Sequence, residues 1–419
     1  MSAAHDSFLD TLPAGWKFDR FKDVVSLRNE KTDEASAEED YLELEDLDSG
    51  SGRILSRRNT LEVGSAVTLF KKADVLFGKL RPYLEKYWVA EFDGKCTGEI
   101  LAFQPQRIAS RFLFYCLGSR WFIERCNALA YGAKMPRVSW PTQLSQFNLP
   151  LPPLPEQQRI AAYLDASCAA IDAAVAAKRR QLETLDALRG AIIRDAIMGG
   201  INPKAQRRGL EIPGYGDTPV HWRRGQLRYE IEIGSGDFAS DKIVDDGEFA
   251  IYGGNGVMDR TNRFNVDGET VVIGRVVAYC GNAHYVHGKA WVSDNALIVK
   301  SRHAARFLCH LFNALNFNAQ ANNTAQPVIT GTKIKGTVVA IPPLAEQNAI
   351  CVHLDQKLAE LKQLVVSIET QIATLTAYRK SLIHECVTGQ RRITEAEVRA
   401  IQERLDKVAV TPTTKPSHG

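Results

Sequence analysis

LPPLPEQQRIAAYLD, Leu151–Asp165, returns as IPPLAEQNAICVHLD, Ile341–Asp355. The offset is 190 residues and holds without a gap for about fifty positions. Pro152, Pro153, Leu154, Glu156, Gln157, Ile160, Leu164 and Asp165 match Pro342, Pro343, Leu344, Glu346, Gln347, Ile350, Leu354 and Asp355. Further on, Thr184, Leu185, Ala187, Arg189, Ile193 and Gly199 match Thr374, Leu375, Ala377, Arg379, Ile383 and Gly389. Solenoid units repeat every 20–50 residues or so, so this period is a whole domain plus a helix, duplicated. Duplication within one chain imitates a two-fold dimer, the arrangement that reads two half-sites on DNA.

The repeated stretch starts a helix. Pro155 suits the first turn, and Glu156 favours the positive end of the helix dipole. Apolar residues then recur at alternating spacings of four and three. The seam of the first copy carries Leu164, Ile171, Val175, Leu182, Leu185 and Ile192; that of the second carries Leu354, Leu361, Val365, Ile372, Leu375 and Leu382. More than four heptads in phase predict a coiled coil. Gly199 and Gly389 end the helices, and roughly 38 residues give a rod of about 57 Å. Chain direction makes the pair antiparallel, with a globular domain near each end. Arg189 and Arg379 interrupt the apolar seam, and bonding of terminal carbonyls or setting of register would explain them.

The parts are thus 1–150, a globular domain; 151–201, a helix; 202–340, a second globular domain; 341–391, a second helix; and 392–419, a C-terminal tail whose last dozen residues look disordered. The globular regions are loosely alike. Trp16 answers Trp222, ADVLFGKLRPY (73–83) answers ETVVIGRVVAY (269–279), Arg111-Phe112-Leu113 answers Arg306-Phe307-Leu308, and Pro136 answers Pro327. Both predict mixed strand and helix with function in the loops. The fold class is α+β: two mixed domains separated by a long antiparallel two-helix coiled coil, with an internal pseudo-two-fold.

Apolar content of 45% and a net charge of +3 fit an ordinary globular chain whose basic surface is local. No apolar stretch reads as approaching the twenty residues that span a bilayer, and the N-terminus lacks signal-peptide order. The eight cysteines include no C-x-x-C and read as buried thiols in a reducing cytosol, so the expected location is cytoplasmic. His284 and His287 form an H-x-x-H with little promise as a metal site. The acidic run 30–48 reads as a solvated loop. The basic stretch 202–228, with Lys204, Arg207, Arg208, Arg223, Arg224 and Arg228, reads as a linker whose charge suits a DNA backbone. IEIGSGDF, from Ile231, imitates a cofactor-binding glycine loop, but no helical period follows it. No Asn/Asp-Pro-Pro-aromatic tetrad and no Walker loop occurs.

Two [LI]-P-P-L-x-E-Q motifs, each followed by a heptad helix, together with FAIYGGNG (249–256), resemble the specificity subunit of type I restriction–modification systems. The resemblance runs from about residue 10 to 391. It implies a non-catalytic chain whose two target-recognition domains each read one half of a split, asymmetric site in double-stranded DNA. It implies a helix pair that sets the spacer, and docking of two modification (methyltransferase) subunits, with motor-nuclease subunits joining for restriction. S-adenosylmethionine is expected on the methyltransferase partner and no cofactor or metal on this chain. Base edges are read by Arg, Lys, Asn and Gln. The candidates in matched Gly/Pro loops are Lys79, Arg81, Lys134 and Arg137 in the first domain, and Asn255, Arg260, Arg263, Arg275, Gln326 and Lys333 in the second. The competing readings are a self-contained DNA methyltransferase and a coiled-coil adaptor that binds no DNA.

Overall fold

The computed structural model describes residues 12–32, 40–59, 67–209, 216–275, 281–317 and 329–410. The chain forms two compact units. The first comprises Met1–Lys178 with Thr370–Gly419, the second Arg179–Glu369. The two long helices, Leu154–Gly199 and Leu344–Val387, contribute to both units. Each is longer than the roughly 38 residues read from the seam, because the helix starts directly after the paired prolines.

Within the first unit a four-stranded antiparallel sheet runs in the order Val25–Leu27, Ile100–Pro105, Val75–Gly78, Tyr87–Val89. Within the second, the same order is built from Ile231–Ser235, Ala296–Ser301, Thr270–Gly274 and Ala283–Val286. The continuous apolar runs of the matched strands follow from alternation of side chains across a sheet. Val75 and Phe77 face one core and Leu76 faces another. Val271 and Ile273 likewise face one core, with Val272 on the other. The second core of each unit lies beneath another sheet, five-stranded in the first unit and three-stranded in the second, each holding one parallel pair. These pairs are Asp40–Leu42 with Gly94–Cys96, and Phe249–Gly253 with Ala290–Val292.

The repeated motif ties each helix to its domain. Gln157 and Gln347 are almost wholly buried. Each Nε2 donates to the carbonyl of the first motif proline, Pro152 at 2.9 Å and Pro342 at 2.8 Å. Each Oε1 accepts a backbone N–H, from Ala109 at 2.8 Å and Ala304 at 2.9 Å. Those alanines cap the helices Ser110–Leu117 and Ala305–Ala314, so the glutamine satisfies an orphan helix donor. The motif aspartates Asp165 and Asp355 pair with Arg111 and Arg306. Glu346 does more than favour the dipole: its Oε1 accepts the Trp222 indole N–H at 3.1 Å.

The seam packs antiparallel inside each unit. Ile160, Leu164, Cys168 and Ile171 share the first core with Leu382, Ile383, Cys386 and Val387. Ala196 and Ile197 share the second with Ile350, Cys351 and Leu354. Val175, Leu182, Leu185, Ile192, Val365, Ile372 and Leu375 are half-buried, while Leu361 is buried. Gly389 adopts positive φ (78°), as expected of a helix terminus. In the first copy that conformation falls on Gly200 (73°), one residue beyond the matched Gly199. A Cβ on Gly200 would meet the Trp222 ring, and one on Gly389 would meet Pro13.

Several expectations are corrected. Arg379 bonds no helix carbonyl among the described residues; its guanidinium donates to the Gly50 carbonyl at 3.1 Å and pairs with Asp172 at 3.2 Å, anchoring a domain loop. Arg189 is exposed. Part of the acidic run is core: Tyr41, Leu42 and Leu47 are buried, and so is Asp46, which accepts from Arg58 and Ser56. The basic stretch is not merely a linker, since Arg207–Gly209 pairs with Asp217–Pro219, and Arg223–Gln226 with Val338–Ile341. The region after 391 contains a helix, Glu395–Val410, opened by Thr394 and Glu397 in reciprocal bonds. Val398 and Ile401 pack it on the first core. Residues 411–419 lie outside the described residues. The first long helix holds an 18-residue window of mean hydropathy 1.5, apolar enough to cross a membrane. Its alanine-rich composition hid this window, and Ile160, Leu164 and Ile171 pack that stretch into the domain core.

The units differ at one informative buried contact. Glu230 and His303 are bonded at 2.8 Å in the second unit, and Arg223 also pairs with Glu230. The matched positions in the first unit, from the strand registers and helix starts, are the buried Val24 and Ile108. Glu230→Val alone leaves the buried His303 ring without this partner, while the exposed Arg223 stays solvated, and should cost roughly 1–3 kcal/mol. The double variant Glu230→Val/His303→Ile should recover most of that loss in denaturant unfolding. A double variant as unstable as the sum of the singles would contradict the equivalence.

Candidate nucleic-acid interface

The first unit brings its four candidate residues together. Gly78 ends a buried strand, and the chain turns through Lys79 to Arg81, which has positive φ (50°). The return segment closes on this turn: Arg81 N–H donates to the Pro136 carbonyl at 2.7 Å, and Val138 N–H to the Lys79 carbonyl at 3.0 Å. Tyr131 and Arg137 exchange backbone hydrogen bonds of 3.0 and 2.9 Å, pinching residues 131–137 into a loop. Gly132 has φ of 102° at its bend. Tyr131, Lys134 and Met135 are exposed on the loop, and Arg81 Nη2 donates to the Lys134 carbonyl at 3.4 Å.

Beneath the loop is a cleft of about 280 Å³. Arg28, Lys31, Lys79, Tyr131, Arg137 and Trp140 line it, and among the described residues no carboxylate does. Two of its arginines are paired behind the wall. Arg28 bonds Asp74 at 2.7 and 3.2 Å, and Arg137 bonds Glu99 at 3.0 and 3.3 Å. Donation to the Glu99 carboxylate raises the Arg137 pKa above its ordinary value. The local potential thus favours an anionic ligand edged by flat, polar groups.

The second unit repeats the scaffold but not its side chains. Arg275 occupies the position of Lys79: its N–H donates to the Asn295 carbonyl at 3.0 Å, and its carbonyl accepts from Ile329 at 3.1 Å. Lys79 N–H donates in the same way to Glu99, at 2.9 Å. Lys333 is exposed on the short helix Gly331–Gly336 that follows. Gln326 lies outside the described residues. Asn255 is exposed in the tight turn between Phe249–Gly253 and Gly256–Thr261, and Arg263 is exposed just after that hairpin. Arg260 is occupied locally, its guanidinium donating to the carbonyls of Gly247 at 2.6 Å and Glu248 at 3.1 Å. The second set therefore falls into two groups on different sheets. Sequence reasoning missed Glu99, Arg28 and Lys31; for Glu99 the signal was its place one residue before a matched apolar strand.

The second glycine of IEIGSGDF, Gly236, has a packing role. Strand Ile231–Ser235 pairs antiparallel with Ala296–Ser301, and a Cβ on Gly236 would lie 2.2 Å from the Ser293 carbonyl oxygen. Only a 3₁₀ turn, Ser240–Lys242, follows. His284 sits against Gly256, and burial lowers its pKa. His287 instead lies 3.7 Å from Glu269.

The chain matches the family described as type I restriction modification DNA specificity domain over residues 13–184 and 230–371. It belongs to that family. Its relatives include the Escherichia coli type I restriction enzyme EcoDI specificity subunit, 28% identical over 157 residues, 36% of this chain. Another is the Salmonella potsdam StySPI specificity subunit, 22% identical over 319 residues, 69% of this chain. The chain spans about a third of the length of the first (34%) and two thirds of the second (67%). A solved chain from a type I R-M system shares the fold of this specificity-family chain, with a TM-score of 0.73 at 19% identity, covering 91% of this chain and all of that one. The HsdS subunit from Thermoanaerobacter tengcongensis gives 0.56 at 19% identity, covering 91% of this chain and 98% of its own.

Proposed function

We propose that this chain is the non-catalytic DNA-recognition subunit of a type I restriction–modification complex. Each unit reads one half of a bipartite, asymmetric duplex site, and the helix pair sets the spacer. Two methyltransferase subunits, carrying S-adenosylmethionine, dock on it, and motor-nuclease subunits join for restriction. The chain itself holds no cofactor and acts in the cytoplasm. The observation that carries the reading is one scaffold built twice, with corresponding backbone bonds at Lys79 and Arg275 but unlike side chains around them. Such an arrangement suits two half-sites of different sequence.

The spacer role is tested by inserting four residues after Arg180 and four after Thr370, positions matched in the repeat. Each insertion adds about 6 Å of rise and nearly completes a turn, so the seam survives. Methylome sequencing should show the same half-sites separated by about two more base pairs at 3.4 Å each. An unchanged gap would rule out the helices as the spacer.

A further inference from the structure

We propose that Arg137 reads a guanine in the half-site of the first unit and that Glu99 is its positioning residue. The inference rests on the DNA-reading function proposed above and deepens it. Glu99 takes the Nε and one Nη2 donor of Arg137, at 3.0 and 3.3 Å. That bidentate grip fixes the plane of the guanidinium. Among the described residues, the opposite edge, Nη1 with the other Nη2 proton, bonds the Met135 carbonyl alone, at 3.4 Å. Two parallel N–H donors on one edge match O6 and N7 of guanine in the major groove. Both partners are about one-third exposed, at 34% and 31%, so a ligand reaches the pair without unfolding the loop. The backbone at Arg137 is held by Tyr131, as a reading group must be held by its support.

The paired structure of the second unit sharpens the assignment. At the position of Glu99 it carries Asn295, whose carbonyl accepts the Arg275 N–H as that of Glu99 accepts the Lys79 N–H. The scaffold is retained while the side chain changes from an arginine-holding carboxylate to an exposed amide. A position that varies on a constant backbone is where two halves of one protein would encode different bases.

The test measures the methylated sequence and the DNA affinity of the complex assembled with its modification subunits. Arg137→Ala should lower the preference for guanine roughly ten- to hundred-fold at one position of one half-site. Arg137→Lys keeps the charge but loses the fork, so it should lose the same preference while the salt dependence of binding stays unchanged. Glu99→Gln should weaken the preference at that same position by a smaller factor. A uniform loss of affinity in Arg137→Ala, with a salt slope lower by about one and the sequence preference intact, would make Arg137 a phosphate contact and overturn the assignment. An unchanged methylated sequence in both Arg137 variants would also overturn it. The wild-type complex separates the two levels: if it methylates a bipartite site while the variants change nothing, only this inference fails. Absence of any bipartite site with the wild type would sink the proposed function itself.

Discussion

Leu164→Asp should abolish the cooperative unfolding transition of the first unit under mild conditions. Leu164 is fully buried, among Ile160, Leu382 and Cys386. The substitution removes a core aliphatic group and leaves a carboxylate with no cation among the apolar neighbours of that core. Large-to-small loss in a core and an uncompensated charge together cost roughly 5 kcal/mol or more, which is much of a domain's stability. Leu182→Asp, at a half-buried seam position, lets the carboxylate reach water and should cost only about 1–2 kcal/mol. Chemical denaturation followed by circular dichroism separates the two. Equal losses would mean that Leu164 is not packed as core and that the antiparallel seam is misassigned.

The seam was legible because heptad periodicity survives in sequence whatever the partner, and the second copy doubled the signal. The motif glutamines were visible as matched residues, but their purpose was not. Capping Ala109 and Ala304 is a long-range contact, and no local pattern announces it. The Lys79–Arg275 equivalence was readable from a buried strand that ends in glycine in both copies. Arg260 shows the opposite case. A basic residue in a glycine-rich hairpin looks available, yet the carbonyls of Gly247 and Glu248 already hold it. Glu99 escaped notice because a single acid beside a strand has no period, and its meaning depends on Arg137, 38 residues away. The C-terminal helix was hidden by its polar composition, although Thr394 and Glu397 stood at capping-box spacing.

Independent reading by the two units is tested most directly by exchanging residues 1–150 for the corresponding segment of a relative with another specificity. The helices and their motif glutamines, Gln157 and Gln347, stay in place, so the attachment of each domain to its helix is retained. The expected effect is a complete replacement of one half-site. Methylome sequencing of cells carrying the hybrid with its modification subunits should show a new sequence in one half, the old sequence in the other, and the same spacer between them. A change in both halves, or in neither, would contradict independent reading.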